Sequence, residues 1–143
     1  MRPIGVIHSP FTEKEHTPIQ AARSQAAGQV EVFPEYVEGL QDIDGLSHIF
    51  LLYVFHCSEG YNLKVKPFLD DSLHGLFSTR YPCRPNPIGL SVVHLVARRE
   101  NVLDVEGIDV LDGTPLLDIK PYVPDFDEHP STRTGWYETR SKE

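Results

Sequence analysis

Leu90-Ser91-Val92-Val93-His94-Leu95-Val96-Ala97-Arg98-Arg99-Glu100-Asn101-Val102-Leu103-Asp104-Val105-Glu106-Gly107-Ile108-Asp109 sets the architecture. Two runs, Leu90–Arg98 and Val102–Asp109, meet at Glu100-Asn101. Period-two alternation turns one side of each run toward a core. A two-residue connection between such runs makes an antiparallel hairpin. Val93, Leu95 and Ala97 are expected to share one side of the first strand.

Upstream, Ser47–His56 is apolar almost throughout, rich in β-branched and aromatic residues, and reads as a central strand buried on both faces. Pro3–Ser9 and Gln29–Phe33 read as two more strands, separated by a polar loop from Phe11 to Ala27. Glu35–Gly45 carries short helical or turn signals. Lys64–Pro67 and Leu76–Thr79 are candidate short strands. Downstream, Asp112-Gly113-Thr114-Pro115 is a turn and Leu116–Lys120 a last strand. This divides the chain into a domain over 1–125 and a polar tail over 126–143. Many short strands joined by turns predict a mainly β fold: a small antiparallel β-barrel with short helices. There is no Gly-x-Gly-x-x-Gly and no βαβ alternation, so a Rossmann domain is excluded.

The chain has 143 residues, of which 40% are hydrophobic, enough for one core without staples. Cys57 and Cys83 are too few for a disulfide framework, which points to a reducing, cytoplasmic compartment. Neither a signal peptide nor an apolar run long enough to span a bilayer is visible. The net charge of −8 argues against a general nucleic-acid coat. That charge is uneven: residues 60–100 carry six Lys/Arg against three Asp/Glu, whereas residues 1–59 sum to −5 and 101–143 to −6. A local basic patch on an acidic protein fits this distribution.

Two segments carry candidate chemistry. Phe77-Ser78-Thr79-Arg80-Tyr81-Pro82-Cys83-Arg84-Pro85-Asn86-Pro87-Ile88-Gly89-Leu90-Ser91 is braced by three prolines that fix φ. Arg80 and Arg84 can fork onto carboxylate or phosphate; the composition equally suits a proline-rich turn with solvated arginines. In the second segment, Asp109–Tyr122, the side chains of Asp118, Lys120 and Tyr122 share one strand face. They suit a structural ion pair beside a tyrosine as well as the wall of a site. No Cys/His spacing suits a metal, and no nucleophile elbow or Walker loop is present.

Together these segments resemble the TrmO family, also called YaeB or TsaA-like proteins. Ile4–Pro10 resembles the family's opening strand, and Gly39-Leu40, Phe50 and Phe55-His56 its middle segment. The resemblance runs from residue 3 to about 125. It implies a non-Rossmann β-barrel methyltransferase, homodimeric, with S-adenosyl-L-methionine near the dimer interface. The implied reaction is methylation of N6 of the threonylcarbamoylated adenosine beside the anticodon of a threonine tRNA. By motif, cofactor contacts fall at Pro18, Ile19, Gln20, His56, Cys57, Arg80, Leu90, Asp109, Val110, Leu111 and Asp112. Asn86, and after it Asp118 and Tyr122, are candidates to accept an N6 proton. Arg84, Lys64, Lys66 and Lys120 are candidates for substrate contacts. Two departures stand out. Ile19 replaces the arginine of the family's Pro-Arg-Gln, and the chain stops at Glu143, short of the extension that longer members carry. They leave room for a cofactor-binding protein of the same fold that acts on a non-tRNA substrate, or for a non-catalytic cofactor- or RNA-binding module.

Overall fold

A computed structural model describes residues 1–12, 25–56, 60–67 and 70–139. Among the described residues eight strands form: β1 Gly5–His8, β2 Ala27–Val32, β3 His48–Val54, β4 Lys64–Val65, β5 His74–Gly75, β6 Ile88–Arg99, β7 Val102–Glu106 and β8 Thr114–Pro121. Six of them close into an antiparallel barrel in the order β1-β2-β7-β6-β3-β8, and β8 returns to β1 through Gly5↔Leu116. β4 and β5 form a separate two-stranded arm. Among the described residues, no helix is long and apolar enough to cross a membrane.

The barrel is filled by the inward members of each strand: Ile7, Val30, Val32, Leu103, Val105, Val93, Leu95, Ile49, Leu51 and Leu116 are all buried. The β6–β7 hairpin forms as its alternation predicts. Its two-residue turn places Glu100 at a φ of 56°, and Asn101 ties the turn to β2 by donating from Nδ2 to the Val32 carbonyl (2.9 Å).

Three expectations are corrected. A bulge between Leu95 and Ala97 shifts the β6–β7 register. It turns Ala97 outward, away from the side of Val93 and Leu95. The extra residue of a bulge reverses the alternation beyond it. β3 buries one face only: Ile49, Leu51 and Tyr53 are buried, while Phe50, Leu52 and Val54 are half-buried on the barrel's outer wall. Finally, Leu76–Ser78 is a 3-10 turn, and the partner of β4 is His74–Gly75. Ser78 Oγ donates to the Gly75 carbonyl and Thr79 Oγ1 to that of Leu76 (both 2.8 Å). Such local side-chain bonds favour a turn over a strand.

The two barrel ends are closed differently. At one, the 3-10 turns Pro34–Leu40 and Ile43–Gly45 insert Leu40 and Ile43 into the core. At the other, β3 and β1 end, β6 and β2 begin, and the connection Gly107–Gly113 crosses the opening. That second end is called the mouth below.

Candidate functional site

The mouth exists because β6 is only half covered. β7 pairs with β6 from His94 to Arg99. The earlier stretch Ile88–Val93 has β3 on one side. On its other side it is tied to the Gly107–Leu111 connection, not to a strand, through Ser91 and Asp109. Ser91 Oγ donates to Asp109 Oδ1 (2.7 Å), and Tyr53 Oη lies 2.6 Å from Ser91 Oγ. A carboxylate only accepts, so the single serine proton is committed to Asp109 and Tyr53 must donate to Ser91. The result is a relay, Tyr53 to Ser91 to Asp109, that fixes a carboxylate only 9% exposed. Burial, with the Asp109 carboxylate second, pushes the Tyr53 hydroxyl well above its ordinary value; the Ser91 bond and the Arg80 charge oppose this. Tyr53 therefore stays a neutral donor. Gly89 makes the crossing possible, since a Cβ there would strike the Tyr53 ring and lie 2.8 Å from Phe55 Cζ.

The Gly107–Gly113 connection is itself anchored. Its start takes the Ala26 carbonyl at the Gly107 and Ile108 amides. Ser9 Oγ donates to the Val110 carbonyl (2.6 Å), and the Ser9 amide donates to Asp112 Oδ1 (3.0 Å). Thr114 Oγ1 donates to the Leu111 carbonyl (2.6 Å). Val110 is buried, Leu111 half-buried and Asp112 exposed.

The arginine loop approaches the same opening. Arg80 is exposed and close enough to Tyr53 for its charge to act on the hydroxyl. Arg84 has a different place from the phosphate contact expected of it. It is half-buried, and its guanidinium donates to the carbonyls of Tyr81 (2.8 Å), Thr79 (3.0 Å) and Leu76 (3.3 Å). Those bonds brace the loop that carries Arg80. Asn86 is exposed beyond the loop, its backbone carbonyl taking the Ile88 amide. His56 follows β3 at this end and is exposed. Leu90 lies beside Ser91 but points to the outer wall, 43% exposed. Pro18, Ile19, Gln20 and Cys57 lie outside the described residues.

The structure does not bring Asp118, Lys120 and Tyr122 to Asp109. They project from the outer wall, where Asp118 pairs across Leu52 with Leu90, and Lys120 across Phe50 with Val92. Asp118 Oδ1 takes the Ile119 amide, and Oδ2 lies 3.3 Å from Lys120 Nζ. The Tyr122 ring packs on Phe50 and His48. His48 is six residues from Val54 along β3, roughly 20 Å at strand rise. Lys64 and Lys66 are exposed on the β4–β5 arm.

A groove of about 680 Å³ lies at the sealed end, with Ile4, Leu40, Ile43 and Ile119 on its floor and Glu35, Glu38, Asp42 and Asp118 around it. It contains none of the buried hydrogen-bonded polar groups of the mouth, so the mouth is the better candidate site. Sequence reading missed Tyr53 and Ser91. The available signal was a tyrosine and a serine on the inward-facing positions of two paired strands, where aliphatic residues are the rule.

The model of the tRNA-methyltransferase O N-terminal domain matches residues 6–128. This chain belongs to the TrmO family. A probable S-adenosyl-L-methionine-binding protein of Pyrococcus abyssi is 56% identical over 138 residues, 96% of this chain and 75% of that protein. The mouse tRNA (adenine(37)-N6)-methyltransferase is 38% identical over 133 residues, 87% of this chain and 31% of the enzyme. The crystal structure of TrmO from Pseudomonas aeruginosa superposes with a TM-score of 0.77 at 40% identity, covering 94% of this chain and 60% of that one. Both signature segments lie within the matched TrmO region, and each contributes to the mouth.

Proposed function

We propose that this chain binds S-adenosyl-L-methionine at the barrel mouth and methylates N6 of (threonylcarbamoyl)adenosine beside the anticodon of a threonine tRNA. One observation carries the reading: in a TrmO-family chain, the loop of Arg80 and the connection of Asp109 converge on one barrel end. The donor set suits the cofactor. A fixed, buried carboxylate and an exposed guanidinium at one opening match a ligand that carries an ammonium, a carboxylate and ribose hydroxyls.

S-Adenosyl-L-methionine supplies an electrophilic methyl group on a sulfonium. Within the chain, Arg80 holds a carboxylate, and Asp109, oriented by Ser91, accepts from an ammonium or hydroxyl. Val110, Leu111 and Asp112 line the same opening, with Leu90 offering backbone groups at its edge. Pro18, Ile19, Gln20, His56 and Cys57 complete the cofactor set. Asn86 accepts a hydrogen bond from the adenine N6–H and aligns the nitrogen for in-line attack, and the N6 proton passes to solvent as the N–CH3 bond forms and the S–CH3 bond breaks. Lys64 and Lys66 meet phosphates of the single-stranded loop, which presents its base without duplex opening. A homodimer through the outer wall is part of the proposal. There Phe50, Leu52, Leu90 and Val92 form adjoining apolar rows next to Asp118, Lys120 and Tyr122.

Incubation with methyl-labelled cofactor and total tRNA tests this. Label in the anticodon fragment of threonine tRNA is the expected result, and cofactor binding without label in RNA would refute it. Asn86→Ala should keep cofactor affinity and lose transfer. Light scattering should report a dimer that Leu90→Asp converts to monomer. A second reading, a cofactor-binding protein with another substrate or none, is favoured by the name of the 56%-identical Pyrococcus relative and by the −8 charge. Binding without transfer is its signature.

A further inference from the structure

The segment Gly135–Thr139 is a 3-10 turn that lies outside the 6–128 family match. It nevertheless reaches the loop of Arg80. Trp136 Nε1 donates to the Ser78 carbonyl at 2.9 Å, a contact between residues 58 apart in sequence. The indole also stacks on His74, with ring centroids 4.3 Å apart and planes at 17°. His74 in turn is held from the side: its Nε2 lies 2.7 Å from Asp70 Oδ2, with both side chains mostly buried. Tyr137 also stacks on the indole, with ring centroids 3.9 Å apart.

These contacts land between two tethers of the loop: the Leu76 amide donates to the Leu63 carbonyl (2.8 Å) at its start, and the Phe55 amide to the Pro87 carbonyl (2.7 Å) at its end. Arg84 gathers the carbonyls of Leu76, Thr79 and Tyr81, and the Thr79 amide takes the Leu76 carbonyl. Such bonds fix the loop's shape, the two tethers fix its ends, and the Trp136 contact adds a hold between them, next to Arg80. Ser78 is two residues from Arg80, so a shift of the Ser78 carbonyl carries the guanidinium with it.

We propose that Trp136 is a positioning residue: the segment after the barrel folds back as a strap and holds the Arg80 loop where its guanidinium meets the cofactor. The functional half of this rests on the cofactor reading above. Losing both the hydrogen bond and the aromatic stack should weaken cofactor binding by roughly tenfold and losing the hydrogen bond alone by roughly threefold.

Three readouts on the whole chain test it. The first needs no cofactor: amide hydrogen exchange at residues 76–84 should speed up in Trp136→Ala and less in Trp136→Phe, which keeps a ring on His74. The second is cofactor affinity by calorimetry, with KM for cofactor raised in the same order while kcat and KM for RNA stay near wild type. The third uses the fact that Trp136 is the one tryptophan in the chain: its emission in the wild type should change saturably with cofactor, at the calorimetric midpoint. Unchanged exchange at 76–84 in Trp136→Ala would overturn the strap. So would unchanged cofactor affinity in a variant of a wild type that binds. A wild type that fails to bind the cofactor would refute the site reading instead, and the exchange experiment would still decide the strap. If Trp136→Ala unfolds, Trp136→Phe carries the same tests at smaller amplitude.

Discussion

The two ends of the barrel are sealed by opposite means. At one, Leu40 and Ile43 enter the core from 3-10 turns and exclude water by apolar contact. At the other, the opening is crossed by the Tyr53–Ser91–Asp109 relay. Apolar closure is non-directional and strongly stabilising per area buried. Polar closure adds little net stability, because each bond replaces one to water, but it aims a charged group. The end that gives up stability is the end proposed to hold the cofactor.

The largest effect should come from the apolar end. Leu40→Ala should lower the unfolding free energy by about 2–5 kcal/mol, read by urea titration. Cofactor affinity of the folded fraction should not move, and if it falls too, the two ends are not independent. At the mouth, Ser91→Ala removes the Ser91 donor from the carboxylate and the acceptor from Tyr53. It should cost about 1–3 kcal/mol of stability and, unlike Leu40→Ala, weaken cofactor binding in calorimetry.

Tyr53→Phe sharpens the comparison more gently, since Ser91 still serves Asp109. Stability should change by about 0.5–1.5 kcal/mol near neutrality. The pH profile is more telling. Burial raises the Tyr53 hydroxyl above its ordinary 10.0, so the folded state keeps its proton where the unfolded chain loses it. That stability is fully present below pH 10.0 and drains away as pH rises through the folded value. The phenylalanine variant should flatten this alkaline fall in urea titrations. The smallest effect should be at an exposed pair on the β6–β7 hairpin, where Arg99 forks onto Asp104 at 2.8 and 2.9 Å. The arginine holds the carboxyl of Asp104 below its ordinary value. Its contribution is present above the usual aspartate range and lost as pH falls through the lowered value. Asp104→Asn should change the melting temperature little and abolish only that weak acid dependence.

Much of this was legible in sequence because it depends on neighbours along the chain. Alternation and a two-residue turn are local, and they gave the β6–β7 hairpin and a barrel-like strand count. The two candidate segments were visible because proline and arginine crowd one and aspartate the other. The roles inside them were not. Arg84 and Arg80 sit in near-identical company, yet Arg84 is half-buried on three backbone carbonyls and Arg80 is exposed near Tyr53. Asp118, Lys120 and Tyr122 do share a face, as period two requires, but that face is the outer wall.

Local order in the chain thus determined the long strands and the β6–β7 hairpin, though not the bulge that reverses Ala97 or the exposure of the outer face of β3. What only the closed barrel decided is which inward residues meet. Tyr53, Ser91 and Asp109 are separated by 38 and 18 residues, and no spacing rule links them. Strand register brings the tyrosine and serine together, and the interruption of the β6–β7 ladder admits the aspartate. Hydrogen bonds reach about 3 Å, so a relay of this kind is set by the last few tenths of an ångström of tertiary packing, which a linear pattern does not contain.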